Sequence, residues 1–199
     1  MAGNSYKGIL NRFFTGGVEQ VMGRTVICDT ETTGFYPQKD RIVEFGAIEL
    51  NDLKPTGRRC HIYIDPDGKI VDKTAFEVHG ISNAILAEKG AKTFVHEASK
   101  IADFMANSNI VAHNAQFDYN FLKAEFNRID RDIDALNITV IDTIPMAKML
   151  FPGKRINLNS LCKILGVSTT DRTLHGALID SVLLRDVYTK MLDLGFAFS

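Results

Sequence analysis

The sequence predicts an α/β fold, a mixed sheet flanked by helices. Three strand-like apolar segments, near 25–29, 42–50 and 59–64, come first, and helical and strand-like segments then alternate to the end of the chain. Acidic residues also stand where apolar segments end, and open α/β sheets place their ligand sites outside the carboxyl ends of strands. At 199 residues and 45% hydrophobic, the chain can bury one sizeable core. No internal repeat or low-complexity segment divides it.

Residues 1–23 stand apart: they hold Phe13-Phe14, Gly16-Gly17 and one acid, Glu19. They lack the apolar core of a secretory signal, and Lys7 and Arg12 make only a thin case for organelle targeting, so a flexible extension or a short docking helix is expected. Residues 24–199 are expected to form one domain. Its first strand is Thr25-Val26-Ile27-Cys28, and Asn51-Asp52 and Pro55-Thr56-Gly57 supply turn chemistry between the second and third. A helix follows from Phe94 to Met105, a strand from Ile110 to Ala112 and a helix from Phe117 to Asn127. Then come a strand from Ile138 to Ile141, short helices at Thr143–Leu150 and Leu158–Leu165, and a terminal helix ending near Leu194.

Four carboxylates and a histidine are the candidate chemistry: Asp29, Glu31, Asp118, His175 and Asp180. Asp29 and Glu31 end the first strand two positions apart, so both project from one face. Asp118 falls at a strand-to-helix junction after His113-Asn114-Ala115-Gln116-Phe117. Five positions separate His175 from Asp180, roughly 140° around a regular helix. They cannot share a site from one continuous helix, so His175 is expected on the approach loop, loosened by Gly176, with Asp180 in the first turns.

A single acid is most often a solvated surface charge, but Asp180 sits among Ala177-Leu178-Ile179 and Val182-Leu183-Leu184, where an uncompensated carboxylate is costly. Hard oxygen ligands without zinc-type cysteine or histidine spacing favour Mg²⁺ or Mn²⁺. Two such cations about 4 Å apart stabilise the attacking and leaving oxygens of a phosphodiester. His175, with an ordinary pKa of about 6.5, suits a base taking a proton from water.

The stretches VICDTETTGF, VHGI, HNAQFD, FPGKR and RTLHGALID carry a resemblance. From about Arg24 to the chain's end, and in the same order, they resemble the DEDDh group of 3′→5′ exonucleases and, within it, the proofreading epsilon-type subunits of bacterial DNA polymerase III. The resemblance implies a ribonuclease H-like fold, metal ligation by Asp29, Glu31, Asp118 and Asp180, and general-base action by His175; a tyrosine-type relative would carry Tyr in place of that histidine. It also implies contacts to the terminal nucleotide from Thr32, Thr33, Val78, His79 and Phe117. The threonines read equally as turn residues and Phe117 as core. Lys73-Thr74 stands where relatives can carry an acid that helps hold substrate, and Thr74 offers a hydroxyl instead.

The expected activity is removal of nucleotides from the 3′ ends of single-stranded or frayed DNA, releasing nucleoside 5′-monophosphates. An RNA-trimming exonuclease on the same scaffold and a non-catalytic replisome adaptor are the alternatives. The expected partners are DNA, the polymerase III alpha subunit or a sliding clamp. Met191-Leu192-Asp193-Leu194-Gly195-Phe196 resembles clamp-binding peptides, with Met191 in place of Gln; otherwise Leu192 and Leu194 finish the last helix and Gly195 caps it.

A net charge of −1 excludes a polycation, so phosphate tracking falls to a local patch, Lys148, Lys154, Arg155, Lys163 and Arg172, or else these form an ordinary solvated face. Cys28, Cys60 and Cys162 are too far apart for a disulfide framework and fit reduced thiols in a cytoplasmic protein. His61, His96 and His113 lack ligand spacing and read as structural. No apolar run approaches the roughly 20 residues a spanning helix needs, so no membrane partner is expected.

Overall fold

A computed structural model describes residues 22–170 and 174–197. The expected N-terminal extension, apart from Met22 and Gly23, lies outside the described residues, as does Arg172. Three antiparallel strands open the domain: β1 (Arg24–Thr32), β2 (Ile42–Asn51) and β3 (Lys54–Asp65). Only Asp52 and Leu53 join β2 to β3, both with positive φ (48° and 62°), the backbone that a tight two-residue hairpin requires. This corrects the expected turn at Pro55-Thr56-Gly57. Those residues belong to β3, where Pro55 pairs with Leu50 beside a register shift that absorbs the irregularity.

Two short helices, α1 (Lys73–His79) and α2 (Asn83–Glu88), fill a stretch whose sequence shows no periodic stripe. The remaining elements are β4 (Lys92–Thr93), α3 (Phe94–Met105), β5 (Asn109–Ala112), α4 (Ala115–Asn127), β6 (Thr139–Asp142), α5 (Thr143–Leu150), α6 (Leu158–Leu165) and α7 (Ala177–Ala197). The strands form a mixed six-stranded sheet in the order β4-β3-β2-β1-β5-β6, with β5 and β6 parallel to β1.

Alternation along β1 sorts its side chains between two cores. Val26 and Cys28 face a cluster with Phe94, Ile101, Phe121 and Phe126 of α3 and α4. Ile27 faces the other way, into a cluster with Leu161, Leu184, Tyr188 and Leu192 of α6 and α7. Asp29 and Glu31 follow Ile27 on that second face, beneath the start of α7.

Gly46 makes the close approach of α7 possible. A Cβ there would lie 2.1 Å from the Leu178 backbone N, and Ser181 Oγ donates to the Gly46 carbonyl at 2.9 Å. At its far end α7 runs through Gly195 to Ala197, which corrects the expected cap at Gly195. Met191 and Leu192 are fully buried in the second core, and that packing supports the helix past the glycine. The Phe196 side chain lies outside the described residues. Among the described residues, no helix is long and apolar enough to cross a membrane.

Candidate active site

The site forms where β1 ends, because three chain segments far apart in sequence arrive there. β1 delivers Asp29 and Glu31 opposite Gly46 and Glu44 of β2. The β5-to-α4 junction delivers Asp118: Asn114 takes a left-handed conformation (φ 71°), its N–H donates to Asp142 Oδ1 at 3.1 Å, and α4 begins at once. Asp118 thus sits in the first turn of α4, two residues further into the helix than the expected start at Phe117 placed it. It is held there by the Thr30 N–H (2.9 Å) and the Thr30 hydroxyl (2.8 Å), both donating to Oδ1.

The third segment delivers His175 and Asp180 in the expected arrangement, with the histidine on the approach and the acid in the first turn of α7. His175 Nδ1 lies 3.1 Å from Asp180 Oδ2; the histidine side chain is 44% exposed and the aspartate 4%. The approach is anchored as well as loosened, since the His175 N–H donates to the Val78 carbonyl at 3.2 Å. Ligand atoms of Glu31, His175 and Asp180 all lie within 4.8 Å of one another, close enough to hold one ion.

Electrostatics in the cluster favour a cation. Burial, then the charges of Asp118, Glu31, Asp180 and Glu44, raise the Asp29 carboxyl well above the carboxylate range. Burial pushes Asp118 up to about 7 against the pull of the two Thr30 hydrogen bonds, with Asp142 adding to the rise. Crowded acids that resist ionisation are relieved by a bound divalent ion, so this donor set of hard oxygens fits one.

Residues 26–188 match the exonuclease (RNase T) family model. The chain belongs to the exonuclease family. It is 40% identical over 174 residues to DNA polymerase III subunit epsilon of Haemophilus influenzae, covering 84% of this chain and 67% of that protein. The Escherichia coli K12 subunit is 39% identical, covering 84% and 71%, and that of Rickettsia conorii 42%, covering 85% and 74%. Among solved structures, an E. coli exonuclease I complex with single-stranded DNA superposes with a TM-score of 0.74 at 21% identity, covering 87% of this chain but only 41% of that one. Exonuclease X bound to 5′-overhanging duplex DNA gives 0.67 at 24%, covering 85% and 92%. These structures share the ribonuclease H-like fold.

The remaining candidates of this exonuclease fall into three groups. Thr32, Thr33 and His79 are buried around the end of β1. Thr32 Oγ1 donates to the Gly34 carbonyl at 2.6 Å, Thr33 Oγ1 accepts the Arg41 N–H at 3.0 Å, and His79 Nε2 lies 3.1 Å from the Thr32 carbonyl. Burial lowers the His79 pKa, which favours the neutral ring. Thr74 and Val78 are exposed on α1, while Phe117 packs its ring 4.8 Å from that of Phe121 at the edge of the first core.

Beside His175 a cavity of about 900 Å³ is lined by Glu77, Val78, Asn159, Lys163 and Leu174. Lys148, Lys154, Arg155 and Lys163 are all exposed. His61, His96 and His113 each hydrogen-bond a neighbouring side chain, Glu44, Thr93 and Thr143 respectively.

Sequence reasoning missed Thr30 and Glu44. Thr30 was hidden because it lies on the opposite face of β1 from the acids. Glu44 did leave a signal, a lone acid in the apolar run Ile42-Val43-Glu44-Phe45.

Proposed function

We propose that the chain is a metal-dependent 3′→5′ exodeoxyribonuclease that removes nucleotides one at a time from single-stranded or frayed DNA ends, serving replication proofreading. The observation that carries this is the convergence of Asp29, Glu31, Asp118 and Asp180 beside an accessible histidine. The epsilon names of the curated relatives support the proofreading role. Two divalent ions, Mg²⁺ or Mn²⁺, held by the four carboxylates would stabilise charge on the attacking and leaving oxygens.

The chain's own residues do the rest. Thr30 fixes the Asp118 carboxylate, and the His175 N–H bond to the Val78 carbonyl holds His175 at the rim, where it takes a proton from the attacking water. On this reading Thr32, Thr33, Thr74, Val78, His79 and Phe117 serve the terminal nucleotide, and what supports it is that Val78 lines the cavity beside His175. A mismatched end costs less to unpair and so reaches such a site more often. The single-strand requirement therefore favours errors.

An RNA-trimming role would use the same carboxylates, and the 2′-OH is what separates the two substrates. A non-catalytic adaptor would have no use for the cluster. Docking on a sliding clamp through residues 191–196 would require unwinding the end of α7, where Met191 and Leu192 are buried. Association with the polymerase alpha subunit and a cytoplasmic location belong to the same reading.

The test is hydrolysis of matched 5′-labelled DNA and RNA oligonucleotides in Mg²⁺ and in Mn²⁺, with Asp29→Ala and Asp180→Ala beside the wild type. Stepwise shortening of DNA with release of 5′-mononucleotides, lost in both variants, is expected. Substantial activity in either variant would remove the ligand assignment; faster hydrolysis of RNA would favour trimming.

A further inference from the structure

Helix α7 presents a capping problem at its start. Asp180 N–H donates to the Gly176 carbonyl at 2.8 Å, which makes Gly176 the N-cap residue. Glycine has no side chain to accept the first N–H groups of a helix, which need a partner when buried. The partner comes from the sheet instead. Glu44 of β2 is 3% exposed, and its Oε2 accepts the Ala177 N–H at 2.8 Å. A carboxylate also complements the positive end of the helix dipole there.

The other oxygen of Glu44 is engaged too: His61 Nε2 lies 2.6 Å from Oε1, and the Tyr63 hydroxyl hydrogen-bonds the same carboxylate. His61 and Tyr63 belong to β3, so Glu44 is braced from the neighbouring strand while it reaches to α7. It faces Glu31 across the β1–β2 pair, close enough to add to the charge that raises Asp29. Yet the oxygens that could join the metal ligands are occupied by Ala177 and by β3.

We infer that Glu44 is a positioning residue of the exonuclease: its hydrogen bond to the Ala177 N–H fixes the first turn of α7 and so sets where Asp180 and His175 stand relative to Asp29 and Glu31. This rests on the function proposed above. Gly46 admits the Ala177–Leu178 backbone against β2, and Ser181, one turn along, donates to the Gly46 and Ala177 carbonyls. Glu44 accepts the N–H of the residue next to the His175-Gly176 approach, so its loss should disturb the geometry of the reacting groups more than the packing of the helix.

The experiment compares Glu44→Ala and Glu44→Gln with the wild type in two readouts: steady-state hydrolysis of single-stranded DNA at saturating Mn²⁺, and hydrogen exchange at the Ala177 amide followed by NMR. Glu44→Ala should lower kcat by about 10- to 100-fold with KM changed less than about twofold, the pattern of an interaction that matters in the transition state. The Ala177 amide should exchange about tenfold faster, as expected when one hydrogen bond of modest net worth is removed. Glu44→Gln should recover most of both, because its amide oxygen still accepts from Ala177. If Glu44→Ala does not fold, Glu44→Met takes its place, keeping the volume without the acceptor. Unchanged exchange at Ala177, unchanged kcat, or a Gln variant as impaired as the Ala variant overturns the inference. Should the wild type hydrolyse no DNA, the exonuclease reading fails, and the exchange rates still decide whether Glu44 holds α7.

Discussion

Asp118 concentrates a conflict in one side chain: burial pushes its carboxyl up to about 7 while two bonds from Thr30 favour the ionised form. An unfolded aspartate titrates near about 3.9, so in the absence of metal the folded chain binds this proton more tightly than the unfolded one. The corresponding stability is complete below about pH 4 and is lost as the pH rises through about 7. Asp29, raised in the same direction, adds to the effect. Protein in EDTA should therefore melt at a lower temperature at pH 8 than at pH 5, and Mn²⁺ should remove most of the difference. Calorimetry at both pH values checks this, and a metal-free melting point that rises with pH in that window would refute it. His175→Ala should lower turnover by about 10²–10⁴-fold, the usual scale for a positioned acid or base, with Mn²⁺ binding by calorimetry largely kept. A pH–rate profile of unchanged shape would count against the base. The acids were legible because Asp29 and Glu31 end an apolar strand, Asp118 follows one and Asp180 sits in an apolar run. Thr30 was not, because a threonine in a strand carries no mark of a partner on a distant helix.

Among the elements, α7 does the most, and its placement depends on Gly46. A Cβ at Gly46 would meet the Leu178 N at 2.1 Å and the Ala177 carbonyl carbon at 2.2 Å, both backbone atoms that cannot rotate away. Gly46→Ala should cost about 1–3 kcal/mol or more, as overpacking does. At about 2–4 °C per kcal/mol for a chain of this size, the melting temperature should fall by several degrees. Activity should fall further than stability, since Asp180 and His175 move with the helix. A Gly46→Ala variant with wild-type melting point and turnover would show that α7 can shift freely. α3, α5 and α6 were readable end to end from apolar spacing, whereas α1 and α2, of seven and six residues, are too short to show a period. The terminal glycine misled because packing of Met191 and Leu192 outweighs its preference for ending a helix.

For the whole molecule, a net charge of −1 leaves substrate attraction to the local distribution of exposed Lys148, Lys154, Arg155 and Lys163. Lys163 lines the cavity that also holds His175. Lys163→Ala should raise KM for single-stranded DNA severalfold and flatten its dependence on salt, with kcat nearly unchanged, because a phosphate contact contributes through released counterions. KM measured from 50 to 200 mM salt decides it; an unaltered salt slope would return Lys163 to the solvated face. The mixed sheet was legible as a whole because three strands followed by alternating helices and strands admit few arrangements. Its exact edge was not, since β4 is only two residues long and carries no pattern.

The dependence of the site on α7 also has a consequence in time. Asp29, Glu31 and Asp118 are synthesised before Asp180, and the acidic cluster is complete only when α7 docks against β1 and β2. During translation the growing chain thus carries most of its acidic groups without the geometry to cut nucleic acid. A nuclease made beside messenger RNA is expected to stay inert until α7 has left the ribosome and docked.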